Sequence, residues 1–115
     1  MNVNIDVLDD FQRNFKRLKK KYKSLVNDYS DLLDSLRENP TLGVSLGMGA
    51  HKVRMAILSK GGGKSGGARV ITYVVNEEAP DTFNVTLLTI YDKSEQANIP
   101  DGYLNYLVGL AKERK

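Results

Sequence analysis

Apolar and polar residues alternate at the start of the chain. Val3, Ile5 and Val7 are separated by single polar residues, the two-residue period of a short strand that ends before Asp9 and Asp10. Both aspartates are natural helix N-cap residues. Phe11, Phe15, Leu18 and Tyr22 then recur at spacings of four, three and four. That places them on one face of an amphipathic helix whose other face is a run of lysines. Leu25, Tyr29, Leu32, Leu33 and Leu36 carry the 3.6-residue period into a second, more acidic helix, with Ser24 at the joint. Asn39-Pro40 stops it, because proline disfavours helical backbone in the residue before it. The two segments read as a helical hairpin, and their aromatic and leucine stripes read as core.

Gly43, Gly47 and Gly49 punctuate a loop, after which the period drops to two. Over residues 51–59, Val53, Met55 and Ile57 fall on one face and Lys52, Arg54 and Ala56 on the other. Residues 68–75 and 84–91 are rich in β-branched and aromatic side chains and read as two more strands, favouring an antiparallel meander. Asp101-Gly102 leads into a last helix over 103–115, marked by Leu104, Leu107, Val108 and Ala111. The expected order is β-α-α-β-β-β-α. It describes one α+β domain over residues 1–115: an N-terminal strand, a helical hairpin, a three- to four-stranded mainly antiparallel sheet and a C-terminal helix.

Composition narrows the chemistry. The 115 residues are 41% hydrophobic and 27% charged, an ordinary balance for a globule with one modest core. No apolar run approaches the ~18–20 residues of a membrane span, and the first residues lack the basic and apolar regions of a signal peptide. A cytoplasmic location without membrane partners is expected. The absence of cysteine excludes disulfides, thiolate chemistry and cysteine-based zinc sites. The single histidine, His51, excludes any scheme that needs two imidazoles, and reads as a surface or cap residue. Glu77, Glu78 and Asp81 fall in a loop without metal-ligand spacing, so neither a metal nor another cofactor is expected.

Charge adds more than the net value of +3 suggests. Residues 1–38 carry eight Lys/Arg against seven Asp/Glu, 39–76 carry five against none, and 77–115 carry four against seven. Arg13, Lys16, Arg17, Lys19, Lys20, Lys21 and Lys23 follow one another with no acid between Phe11 and Ser24. Two basic regions of this kind suit a polyanion such as nucleic acid, although a lysine-rich helix face is commonly plain solvated surface.

The segment Ser59-Lys60-Gly61-Gly62-Gly63-Lys64-Ser65-Gly66-Gly67 imitates the end of a phosphate-binding loop. The match fails because the first glycine of that motif is replaced by Leu58 and a strand, not a helix, follows. The segment instead reads as a hairpin loop that brings Lys60 and Lys64 to a phosphate backbone, where missing side chains permit close approach. Lys52 and Arg54 share a strand face, and Arg69 opens the partner strand, so three cations can converge on one side of the sheet. Tyr91 and Lys93 share a face at the end of the last strand. Asn84-Val85-Thr86 matches a glycosylation sequon without any sign of secretion.

Taken together, Asn39-Pro40-Thr41-Leu42-Gly43, Leu46-Gly47, His51-Lys52-Val53-Arg54, the glycine loop through Ala68-Arg69-Val70-Ile71, and Leu87-Leu88-Thr89-Ile90-Tyr91-Asp92-Lys93-Ser94-Glu95 resemble the RelE/HigB-type toxins of bacterial type II toxin–antitoxin modules. The likeness spans residues 5–110. It implies a RelE-like fold and a ribosome-dependent mRNA endonuclease, an mRNA interferase that inhibits translation and is held in check by a cognate antitoxin protein. By position, Arg54, Arg69, Tyr91 and Lys93 correspond to the family's catalytic group. Lys52, Lys60 and Lys64 correspond to substrate or ribosome contacts, and Lys16, Lys19, Lys20 and Lys23 suit ribosomal RNA by charge. The implied reaction needs no metal: the 2′-hydroxyl of the mRNA attacks the adjacent phosphorus. The same fold hosts ParE-type gyrase-poisoning toxins without nuclease activity, and a noncatalytic RNA-binding module is the third option.

Overall fold

The computed structural model describes residues 1–78 and 81–114. Its elements are β1 (Asn2–Val7), α1 (Asp9–Lys21), α2 (Leu25–Glu38), β2 (Val44–Gly47), β3 (Ala50–Met55), β4 (Ala68–Glu77), β5 (Thr82–Asp92) and α3 (Asp101–Glu113). Five strands form one sheet in the order β1-β5-β4-β3-β2. The neighbours β2–β3, β3–β4 and β4–β5 are antiparallel, whereas β1 lies parallel to β5, from Asn2 opposite Thr82 to Val7 opposite Leu87. The α+β class and the helical hairpin are as expected; the strand count and element order are not. The sheet has five strands, and the order is β-α-α-β-β-β-β-α.

The extra strand is β2, in the glycine-punctuated stretch expected to be loop. Only four residues long, it is held by pairing with β3, with a register shift between Ser45 and Gly47. Gly47, Met48 and Gly49 all take positive φ at the tip, so the glycines that suggested loop are the residues that make a tight hairpin turn feasible. The other difference is at β3, which ends at Met55 rather than near residue 59. Ile57 still reaches the core, at the start of the long turn to β4.

Helices cover both faces of the sheet. On one face Val53, Met55, Val70, Val85, Leu87 and Ile90 pack with Phe11 and Leu18 of α1 and with Leu25, Leu32 and Leu36 of α2. The rings of Phe11, Phe15 and Tyr29 sit 4.9–5.8 Å apart and close the helical hairpin. On the other face Ala50, Ile71, Leu88 and Tyr91 pack with Leu104, Leu107, Val108 and Ala111 of α3. Asp9 and Asp10 in the first turn of α1 and Lys19, Lys20 and Lys21 in the last complement the helix dipole. No helix among the described residues is long and apolar enough to cross a membrane.

Candidate functional site

Three strand ends meet at one pole of the molecule, at Met55, Ala68 and Asp92, and the β3–β4 connection loops over them. Register decides which side chains gather there. Arg54 lies directly opposite Arg69, and Arg69 directly opposite Tyr91. Directly opposed residues of antiparallel strands project to the same face, so Arg54, Arg69 and Tyr91 form a row across the sheet. Lys52, two residues before Arg54, shares that face.

A groove of about 500 Å³ opens beside this row, lined by five cationic residues, Lys52, Arg54, Lys64, Arg69 and Lys93, and by no carboxylate. Its remaining walls include Gly43, Val44, Ala97 and Asn98. Lys52 Nζ donates to Asn98 Oδ1 at 3.2 Å. The predicted convergence of Lys52, Arg54 and Arg69 is therefore present, and Lys64 and Lys93 join it.

The five are not equivalent. Arg54 and Lys64 are exposed, while Arg69 is only 4% exposed. The Arg69 guanidinium donates through Nη1 to the carbonyls of Lys64 (3.0 Å) and Ala68 (3.2 Å), and through Nη2 to that of Ser65 (3.2 Å). Part of its fork is thus spent on holding the glycine loop over the groove. That loop has Gly61, Gly62 and Gly63 at positive φ. At its end a Cβ on Gly67 would lie 2.2 Å from the Met55 carbonyl oxygen, so only glycine allows the loop to close this tightly onto β3.

Two expected members stand apart from the groove. Tyr91 is 4% exposed, packs in the α3-side core, and its hydroxyl is buried without a hydrogen-bond partner among the described residues. Burial pushes its phenol pKa up, and the charge of Arg69 partly opposes this. Lys60 turns away from the groove: its Nζ donates to Asp92 Oδ1 at 2.6 Å and to Ser94 Oγ at 3.2 Å. A lysine engaged by a buried carboxylate is part of the framework, and Lys60, expected as a phosphate contact, does not line the groove.

Lys16, Lys19 and Lys20 are exposed along α1, and Lys23 is exposed in the turn that follows. None of the four forms an ion pair among the described residues, whereas the neighbouring Arg13, Arg17 and Lys21 pair with Asp10, Glu95 and Asp92 respectively. The basic run thus divides into paired residues, of which Arg17 and Lys21 tie the helix to the end of β5 and the turn after it while Arg13 pairs within the helix, and unpaired ones that face solvent. The basic C-terminal turn of α1 lies at the same pole as the glycine loop, because Tyr22 Oη donates to Asp92 Oδ2 at 2.5 Å.

Sequence reasoning passed over two buried aspartates that build this pole. Asp92, fully buried, accepts from Lys60, Tyr22 and Ser94. Burial alone would raise its pKa, but those hydrogen bonds outweigh it and hold the carboxyl well below the usual carboxylate range. Asp28 accepts from Ser24 Oγ at 2.7 Å and from the Leu58 backbone N–H at 3.2 Å, tying α2 to the start of the loop. The available sequence signal was an aspartate closing an apolar strand and another four residues after a helix-joint serine. His51 is half-buried within β3, with its Nδ1 unpartnered among the described residues, and does not line the groove.

Chemically, the groove can bind a chain of phosphates and stabilise added negative charge on one of them. No group of three His, Cys, Asp or Glu side chains able to hold a metal ion occurs among the described residues. The chain matches no protein-family model and no curated protein sequence.

Proposed function

We propose that the protein is the toxin of a type II toxin–antitoxin module, a ribosome-dependent endoribonuclease that cleaves mRNA and stops translation. The observation that carries this reading is the carboxylate-free groove lined by Lys52, Arg54, Lys64, Arg69 and Lys93. Cations at this density repel one another, and a polyanion relieves that repulsion. The resemblance to RelE/HigB-type toxins falls on the same strands and loop.

In this reading the 2′-hydroxyl attacks the neighbouring phosphorus. The P–O5′ bond breaks, leaving a 2′,3′-cyclic phosphate and a 5′-hydroxyl end. Arg54 and Lys64, both exposed and both lining the groove, bind the phosphate and stabilise the charge that grows on the phosphorane. Arg69 adds its charge from beneath while keeping the loop in place. Lys93 and Lys52 line the same groove and are the side chains available to exchange protons with the attacking hydroxyl and the leaving oxygen. Tyr91 supports Arg69 from the sheet face. The ribosome positions the mRNA, and an antitoxin restrains the toxin.

A noncatalytic RNA-binding role is the second reading, favoured by the burial of the Tyr91 hydroxyl away from the groove. Toe-printing of an mRNA in a translation extract with the purified protein separates the two. The nuclease reading expects new 5′-hydroxyl ends within ribosome-bound mRNA and none without ribosomes. Binding without cleavage establishes the second reading. Uninterrupted protein synthesis accompanied by failure of DNA supercoiling replaces both with gyrase poisoning.

A further inference from the structure

The cationic groove continues past Arg54 and Lys64. Beyond them lies a second recess of about 220 Å³, and Leu42, Arg54 and Lys64 line both. Its character is different. Leu32, Leu42 and Leu58 supply apolar wall, with Leu58 70% exposed, and α2 contributes Asp31 and Ser35 one turn apart.

Of the three aspartates on α2, two are already engaged. Asp28 is buried and accepts from Ser24 and Leu58, and Asp34 pairs with Arg37 at 3.3 Å. Asp31 is exposed, and among the described residues no ion pair or hydrogen bond engages its carboxylate although Arg54 and Lys64 line the same recess.

A phosphate bound at Arg54 and Lys64 leaves its strand to continue into this recess. The next phosphate is repelled by Asp31, so the part of the nucleotide that fits there is the base. Exposed Leu58, beside half-buried Leu42, offers a surface for the base face, and a carboxylate accepts hydrogen bonds without donating any. Among the four bases, guanine alone presents two adjacent donors, N1–H and N2–H, to match two carboxylate oxygens. Adenine and cytosine present one amino group beside an acceptor, and uracil presents a single N–H flanked by carbonyls that a carboxylate repels.

We infer that the recess between α2 and the glycine loop is a guanine subsite read by Asp31, adjoining the nucleotide whose phosphate lies at Arg54 and Lys64. This rests on the proposal that the groove binds RNA, and it is independent of whether the RNA is cut. A good bidentate base contact discriminates by roughly tenfold or more.

The test is fluorescence anisotropy with short single-stranded 2′-O-methyl RNAs, which have no nucleophilic hydroxyl, differing only by guanine, inosine or uracil at one position. The wild-type protein is expected to bind the guanine oligomer about tenfold more tightly than the uracil oligomer, with inosine between them because it lacks the N2 amine. Asp31→Asn, at an exposed position that leaves the fold intact, is expected to abolish the preference, with the guanine oligomer losing affinity relative to the uracil oligomer, which binds at least as tightly as before. Absence of a base preference in the wild type overturns the subsite, as does a preference that survives Asp31→Asn. Equal tightening of all three oligomers in the variant also overturns it, showing simple charge repulsion. Guanine preference without cleavage in the translation extract leaves the subsite standing and removes the nuclease; cleavage without preference does the reverse. Failure to bind any oligomer overturns the subsite and the RNA reading of the groove together.

Discussion

Arg54 and Arg69 face each other across two strands, yet they answer to different physical demands. Arg54 is exposed and makes no hydrogen bond among the described residues, so Arg54→Ala is expected to change unfolding free energy by less than about 0.5 kcal/mol. It is expected to reduce single-turnover cleavage by ~10²–10³-fold, the usual effect of removing one transition-state contact. Arg69 is buried under three carbonyls, and Arg69→Ala is expected to lose about 2–3 kcal/mol of stability as well as activity, because hydrogen bonds from a charged group are lost with it. Urea titration beside single-turnover cleavage measures both; a fully stable Arg69→Ala protein would contradict the structural half of this assignment. The difference between the two arginines was not legible in the sequence. Strand alternation placed Lys52, Arg54 and Arg69 on one face, but the carbonyls that occupy Arg69 come from the fold of the glycine loop. Tyr91 shows the same limit: its position in the row follows from alternation, whereas its withdrawal into the core depends on α3, more than ten residues away.

At the level of elements, Asp92 joins parts distant in sequence. The end of β5 meets α1 through Tyr22, the glycine loop through Lys60 and the following turn through Ser94. Removing one partner of such a buried pair leaves the other uncompensated, so Lys60→Met is expected to cost about 3 kcal/mol at neutral pH. The pH dependence has a definite sign. Because the Asp92 carboxyl is held below its unfolded value, near 4, its contribution is fully present above that value and is lost as pH falls below it. Urea unfolding measured from pH 7 to pH 3 is expected to show wild-type stability falling below about pH 4, with Asp92→Asn less stable at pH 7 and flatter in acid. Parallel acid profiles for the two proteins would refute this account. The helices were the most legible elements, since Phe11, Leu18, Leu25, Leu32 and Leu36 repeat with the helical period and do form the core. β2 was hidden because its glycines carry turn signals, and four residues are too few to show alternation against them.

For the molecule as a whole, the proposed function assigns the unpaired lysines of α1 and the groove lysines different ranges of action. Neutralising Lys16, Lys19, Lys20 and Lys23 together with glutamine is expected to weaken ribosome binding and flatten its salt dependence, each lost phosphate contact changing the log–log slope by roughly 0.7–0.9. Cleavage on saturating programmed ribosomes is expected to persist. Lys93→Ala is expected to do the opposite, lowering the single-turnover rate while leaving affinity nearly unchanged. Loss of rate at saturation in the helix variant, paired with loss of affinity alone in Lys93→Ala, would move the active site. The uneven charge along the chain made the basic regions visible. It did not reveal that they flank one pole, which follows from α1 ending where β5 ends. Nor did it separate Lys60 from Lys64, because only the folded loop sends one into a buried pair and the other to the groove.

The strand order β1-β5-β4-β3-β2 also bears on how the chain could be divided. Everything before the glycine loop supplies both flanks of the sheet, and everything after it supplies the central hairpin β4–β5 together with α3. A Cβ at Gly61 or Gly63 would meet nothing within 4 Å, so the loop tip bears no packing that a break would destroy. Two separately produced pieces, residues 1–62 and 63–115, are therefore expected to interleave: β1 seats against β5, β3 against β4, and Lys60 finds Asp92 across the cut. Each piece alone leaves long strand edges unpaired and is expected to remain unfolded. Mixing them and following circular dichroism checks this, with recovery of the intact spectrum as the expected result. A toxic activity split in this way would be absent from either half and return only when both are present.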